Sequence, residues 1–162
     1  MKAKVKVVPP APESVGAIRE TWRAVALVPE PEESCCARLM DRADVPAQDE
    51  AKEWLTFLRG LGLVSEGERG YHRLREDPGE VDLARRFREG VYGVETLLDR
   101  LDADPVDADA AFERFADQVP NWERHHNADW ESVWRERVGR LLGWAVLLGL
   151  ADRVEGGYVR AD

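Results

Sequence analysis

The stretch Ala51–Arg73, AKEWLTFLRGLGLVSEGERGYHR, decides how the chain is read, because most of it occurs twice. A shift of 87 residues lays Leu61-Gly62-Leu63 on Leu148-Gly149-Leu150, Gly70-Tyr71 on Gly157-Tyr158, and Arg73 on Arg160. The apolar residues ahead of the exit follow the same shift: Trp54 falls on Leu141, Leu55 on Leu142 and Phe57 on Trp144. Each copy predicts an amphipathic helix, a Leu-Gly-Leu exit, a short strand, a polar turn bearing glycine, and a second short strand. Agreement of this length at one offset argues for duplication of a supersecondary unit.

Outward from this stretch, Ala51, Trp54, Leu55 and Leu58 stand at i, i+3, i+4 and i+7, the seam of a helix over 47–60. Asp44-Val45-Pro46 ahead of it supplies a capping carboxylate and a proline suited to a first turn. Gly60 and Gly62 suit a left-handed exit. Upstream, residues 13–28 predict a helix with Val15, Ile18, Trp22, Val25 and Ala26 near one face. Pro29-Glu30-Pro31 breaks it, and 32–42 predicts a second helix carrying Cys35, Cys36 and Leu39. Residues 1–8 alternate Lys2, Lys4 and Lys6 with Ala3, Val5 and Val7, a period-2 strand ended by Pro9, Pro10 and Pro12. It reads as an edge strand protected by its lysines, the alternative being a basic arm that touches phosphate.

Downstream, Arg75–Gly79 marks a boundary. A long helix is expected over 80–101, with Leu83, Phe87, Val91, Val94, Leu98 and Leu101 inward, then an acidic connector over 99–109. A helix over 110–119 carries Phe112, Phe115 and Val119. Pro120–Asp129 follows as a connector longer than a simple helix-turn-helix needs. The closing helix, 130–148, repeats the first seam with Trp134, Val138, Leu141, Leu142 and Ala145. Trp144, Val146 and Leu147 make it apolar nearly all round, which predicts burial on more than one side.

Three helices followed by a hairpin, with a short turn before the third helix, resembles the winged helix-turn-helix domain, in which the third helix is the recognition helix and the hairpin is the wing. The passage of apolar helix, Leu-Gly-Leu, strand, turn and strand is similar to the end of many archaeal and bacterial winged-helix regulators. The resemblance covers residues 13–75. It implies a mostly α fold with small β-hairpins in two tandem winged-helix units: an N-terminal strand or arm over 1–12, a first domain over 13–78, and a second, winged-helix-like domain over 79–162.

Composition narrows the class further. The net charge is −9, and of 23 cations only four are lysine. Ile18 is the sole isoleucine. Arginine bias with excess carboxylate points to a GC-rich genome and a salt-adapted cytoplasm of the halophilic-archaeal type. In such a proteome acidity is the background, so local charge discriminates partners better than net charge. The start MKAKVKVV has no apolar core long enough for a signal peptide, and no run of 18 apolar residues spans a bilayer. A cytoplasmic protein is expected. Cys35 and Cys36, the only cysteines, are adjacent and read as reduced thiols.

Catalytic motifs do not emerge. There is no GxSxG, P-loop or GxGxxG, and His125-His126 lacks the spacing of a metal pair. No enzyme activity, cofactor or metal is expected. Trp22, Trp54, Trp134 and Trp144 lie on helical seams and read as core, while Trp122 and Trp130 flank the long connector and leave core or contact open.

The resemblance implies double-stranded DNA as the partner and transcriptional regulation as the role. The candidate contacts on the first recognition-like helix are Gln48, Lys52 and Arg59, and on its wing Arg69, His72 and Arg73. Those on the second helix are Arg135, Arg137 and Arg140, with Arg85, Arg86 and Arg88 clustered between. Salt bridging to neighbouring carboxylates is the competing reading of these arginines. Asp49, Glu50 and Glu53 share the outward face of helix 47–60. They favour the alternative of a protein-interaction module on the same fold, and homodimerisation is open.

Overall fold

The computed structural model describes residues 4–161. It divides into two compact units, Met1–Tyr92 and Gly93–Asp162. The expected boundary at Arg75–Gly79 therefore falls inside the first unit, which keeps the next helix.

The first unit contains α1 (Gly16–Ala24), α2 (Glu32–Arg42), α3 (Gln48–Gly60), the hairpin β1 (Val64–Gly67) and β2 (Gly70–Arg73), and α4 (Leu83–Gly90). The seam of α3 is inward as predicted, with Ala51, Trp54, Leu55 and Leu58 buried together with Phe57. Trp54 and Phe87 both meet the Phe57 ring edge-on, so α4 is tied to the core of this unit. The wing pairs antiparallel, Val64 opposite Arg73 and Gly67 opposite Gly70. Glu30, between α1 and α2, adds a one-residue bridge to Tyr71.

Several boundaries depart from expectation. Helix α1 is shorter than 13–28, and Val15 is exposed rather than on the core face. Ala47, not Asp44, stands at the N-cap of α3, and Asp44 itself takes φ 55° in the preceding turn. Of the two exit glycines only Gly62 is left-handed, at φ 73°. Gly60 serves close approach: a Cβ there would lie 2.6 Å from Val5 Cγ2. In the N-terminal segment Lys2 and Ala3 lie outside the described residues. Val5 is buried between exposed Lys4 and Lys6, but it makes a single parallel bridge to Val91 rather than an edge strand.

That bridge explains why the long helix over 80–101 does not form. Val5 donates to the Gly90 carbonyl at 2.9 Å and accepts from the Tyr92 amide at 2.8 Å. Val91 is extended, and Gly93 turns left-handed at φ 85°. A Cβ on Gly90 would sit 1.9 Å from the Gly60 carbonyl oxygen. Backbone packing against Gly60 and Val5 thus outweighs the local helical pattern, and the run splits into α4 and α5 (Val94–Asp99).

The second unit contains α5, α6 (Ala108–Phe115, extended by a 3-10 turn over Ala116–Gln118), α7 (Asn121–His126), α8 (Trp130–Leu147), and the hairpin β3 (Ala151–Val154) and β4 (Gly157–Arg160). The hairpin repeats the first at the offset read from sequence, Ala151 opposite Arg160 and Val154 opposite Gly157. Trp134, Val138, Leu141, Leu142, Trp144 and Ala145 of α8 are buried. Val106 bridges Tyr158 as Glu30 bridges Tyr71.

These bridges align the two units. Helix α1 corresponds to α5, α2 to α6 and α3 to α8 when elements are matched outward from the bridge. Glu30 precedes Tyr71 by 41 residues and Val106 precedes Tyr158 by 52. The second unit therefore carries eleven extra residues between its second helix and its wing. Part of them forms α7, where the sequence predicts a connector. Gly70 and Gly157 hold the same place: φ 112° and 135°, with a Cβ landing 1.9 Å from Glu30 O and 2.1 Å from Val106 O.

Candidate nucleic-acid interface

In each unit the recognition-like helix packs on the helix preceding it in the winged-helix order, and runs into the wing. On α3, Gln48 and Lys52 are exposed. Lys52 Nζ is 3.9 Å from Glu32 Oε1, a loose pair with both side chains nearly half exposed. Asp49 is exposed on the first turn, and Glu50 and Glu53 are half-buried beside it. Arg59 at the end of α3 is closed onto Glu66 of β1.

The wing residues separate into two kinds. Arg69 stands exposed at the turn, with no carboxylate partner among the described residues. Arg73 folds back onto its own unit. Its guanidinium lies 5.0 Å over the Trp22 ring, and Nη1 donates to the Arg23 carbonyl at 3.1 Å. Arg38 donates through Nε to the Ala24 carbonyl at 3.0 Å. Together these arginines satisfy the carbonyls at the end of α1, where the helix dipole favours cations. Burial, then repulsion from Arg23 and Arg38, pulls the Arg73 pKa below its ordinary value. His72 is half-buried, and its Nδ1 is shielded without a hydrogen-bond partner.

Most cations of the second unit meet its own carboxylates, while Arg153 on β3 lies over the Tyr158 ring and Arg124 over the Trp130 ring. Arg135 is bound by Asp109 at 3.0 Å and Glu113 at 3.5 Å, both on α6, and covers the Phe112 ring. The Asp109 hydrogen bond raises its pKa. Arg137 lies over Trp134 and reaches Glu123 of α7 at 3.5 Å. Arg140 pairs with Glu136 at 3.1 Å. The cluster on α4 is also engaged: Arg85 with Glu89, and Arg86 with Glu76 and the carbonyls of Leu61 and Gly62.

Charge therefore divides unevenly. Met1–Tyr92 has fifteen Lys and Arg against seventeen Asp and Glu, a net −2. Gly93–Asp162 has eight against fifteen, a net −7. A boundary at 78/79, as read from the sequence, divides the charge in the same way, −2 and −7.

The first unit also carries an open cleft of about 790 Å³ between the end of α3, β1 and α4, bordered by Arg59, Glu66, Glu76 and Arg86. Each of its arginines is paired with a glutamate beside it, Arg59 with Glu66 and Arg86 with Glu76. No cluster of three or more His, Cys, Asp or Glu side chains suited to a metal exists among the described residues, and His125 and His126 are exposed on α7. Cys35 and Cys36 are buried free thiols. Among the described residues no helix is long and apolar enough to cross a membrane.

Two helix-and-wing units with matching glycine cradles define a tandem winged-helix protein, a fold of the DNA-binding type. Residues 3–162 match the family described as the Halobacterial double winged helix domain, and the chain belongs to that family. The halophilic composition read from the sequence agrees with it. No curated protein and no solved structure matches the chain.

Proposed function

We propose that this chain is a DNA-binding winged-helix regulator in which only the first unit engages the duplex. The observation that carries this reading is the location of the free cations. Arg69 at the wing turn has no carboxylate partner among the described residues, and Lys52 on α3 has only a loose one. The matching helix of the second unit has its three arginines in ion pairs, and Arg153 on its wing lies over the Tyr158 ring, within a unit of net −7. Phosphate binding requires cations available to displace counterions, so the second unit contributes little to it.

In this reading Gln48 and Lys52 enter the major groove from the first half of α3, and Arg69 reaches the adjacent backbone. Winged-helix geometry places a wing there. The role as a transcriptional regulator follows from such docking, and the cell interior is where it would act. The test is fluorescence anisotropy with mixed-sequence duplex DNA across 0.5–3 M KCl. Arg69→Glu and Lys52→Glu should each weaken binding about tenfold, ~1.4 kcal/mol. Arg140→Glu should leave it within twofold. Equal losses from all three would overturn the division between units.

The second reading, a protein-interaction module, is favoured by one observation: Asp49, Glu50 and Glu53 crowd the face of α3 that a groove would meet. It gains if the wild-type chain binds no duplex at any of these salt concentrations.

A further inference from the structure

Three of the chain's four sulfur atoms stand close together on α2, at Cys35, Cys36 and Met40. The two cysteines have different surroundings. Cys35 donates to the carbonyls of Glu30 and Tyr71, 3.5 and 3.7 Å away, and so is tied to the bridge beside the first wing. Cys36 is 1% exposed and has no hydrogen-bond partner among the described residues. It lines an open cavity of about 380 Å³ between α2 and the start of α3, with Glu33, Ala37, Met40 and Gln48. Met40 is 39% exposed and is not packed into the core. Cys36 and Met40 are i and i+4 on one helix face, a spacing that sets Cβ atoms about 5–6 Å apart. The unbranched thioether turns freely beyond its Cβ, so its sulfur can approach the thiol from the cavity side.

A cysteine that only fills space is enclosed by packed side chains. Here a thiol without a partner borders a cavity, and a second sulfur borders the same cavity. The donor set selects the ligand. Thiolate and thioether are soft ligands that favour Cu(I). Calcium and magnesium take about six or more oxygens, and the side-chain oxygens lining this cavity are those of Glu33 and Gln48. Charge points the same way. One thiolate neutralises one monovalent ion, whereas a divalent ion on the same two sulfurs would leave a net charge that burial penalises. Burial, then Glu32, raises the Cys36 pKa, so the group is a thiol at neutral pH. Coordination therefore releases one proton to solvent as the copper–sulfur bond forms, and the oxidation state of the metal does not change.

We propose that Cys36 and Met40 form a two-sulfur site for Cu(I) in the cavity between α2 and α3. Two sulfurs suffice for a soft monovalent ion, so the site does not require a larger cluster of His, Cys, Asp or Glu. This assignment does not depend on the first unit binding DNA.

The experiment titrates the full chain with Cu(I) under anaerobic conditions in 2 M potassium acetate, because chloride competes for the ion. Bicinchoninate, a chromophoric Cu(I) chelator, reports affinity by competition, and the Met40 methyl resonance reports location. The expected result is a saturable shift of that resonance, with Zn(II) leaving it in place. Met40→Leu removes one of two soft ligands and should weaken binding about tenfold, while Cys36→Ser should abolish it. The proposal is overturned if Cu(I) leaves the Met40 methyl of the wild-type chain unmoved, or shifts only the resonances of His125 and His126. It is overturned equally if Zn(II) produces the same shift, or if Cys36→Ser binds Cu(I) as tightly as the wild-type chain.

Discussion

At the residue scale, Arg69 and Arg73 are four positions apart on one wing and do unrelated work. Arg69 is free at the turn, and Arg73 is folded back onto Trp22 and the end of α1. Arg73→Ala should lower stability by about 1–2 kcal/mol, the sum of a charge-assisted hydrogen bond and a cation–π contact. Arg69→Ala should leave the melting temperature within error, and thermal unfolding of the two variants in 2 M KCl checks both. The buried thiols give a pH signature. Burial raises the pKa of Cys35 and Cys36, and burial followed by Glu66 raises that of Tyr71. Each group stays protonated in the fold at a pH where the unfolded chain has begun to ionise. The unfolded state then binds fewer protons, so stability falls as pH rises. The decline should begin near the ordinary thiol value of 9.0 and continue above the tyrosine value of 10.0. Tyr71→Phe should flatten its upper part in melts taken from pH 8 to 11. A melting temperature constant over that range would remove the buried-group explanation.

At the element scale, the two wings rest on the same device. Gly70 and Gly157 both take positive φ and both press against the carbonyl of a bridging residue, Glu30 in one unit and Val106 in the other. Alanine at either position meets backbone oxygen and a disfavoured dihedral together, and each substitution should cost about 2 kcal/mol or more. Hydrogen exchange should show Gly70→Ala deprotecting the Tyr71 amide while leaving Tyr158 protected, and Gly157→Ala doing the reverse. Helix α7 depends on Glu123 in a comparable way. Glu123→Ala leaves Trp134 Nε1 and Arg137 without their acceptor and should destabilise the second unit by about 1–3 kcal/mol. Melting followed through the α8 amides measures it, and an unchanged midpoint would mean that α7 is not braced through Glu123.

At the scale of the whole molecule, charge divides the chain. Seven of the nine excess negative charges belong to Gly93–Asp162. Self-repulsion grows as screening is withdrawn, and the Debye length lengthens from about 3 Å at 1 M salt to about 10 Å at 0.1 M. Dialysis from 2 M toward 0.1 M KCl should therefore unfold the second unit first, seen as loss of dispersion in its amide resonances while α3 and the first wing persist. Simultaneous loss of both units, or indifference to salt, would contradict this ordering. The exposed ion pairs do not reverse it, because each contributes about 0–1 kcal/mol.

The repeat with its 87-residue offset, both wings, the α3 and α8 seams and the salt-adapted character were legible in the residues themselves. They rest on local periodicity and on an internal copy, and both are written along the chain. The split between α4 and α5 was not legible, because it arises where Gly60, Val5 and Gly90 meet across distances that no local pattern encodes. Helix α7 was hidden because its inward residues are charged and its outward residue is tryptophan, the reverse of an amphipathic signal. The occupancy of the arginines was equally out of reach. A sequence records which side chains carry charge, but only packing decides which carboxylate each one meets, and hence which cations remain free to meet another molecule.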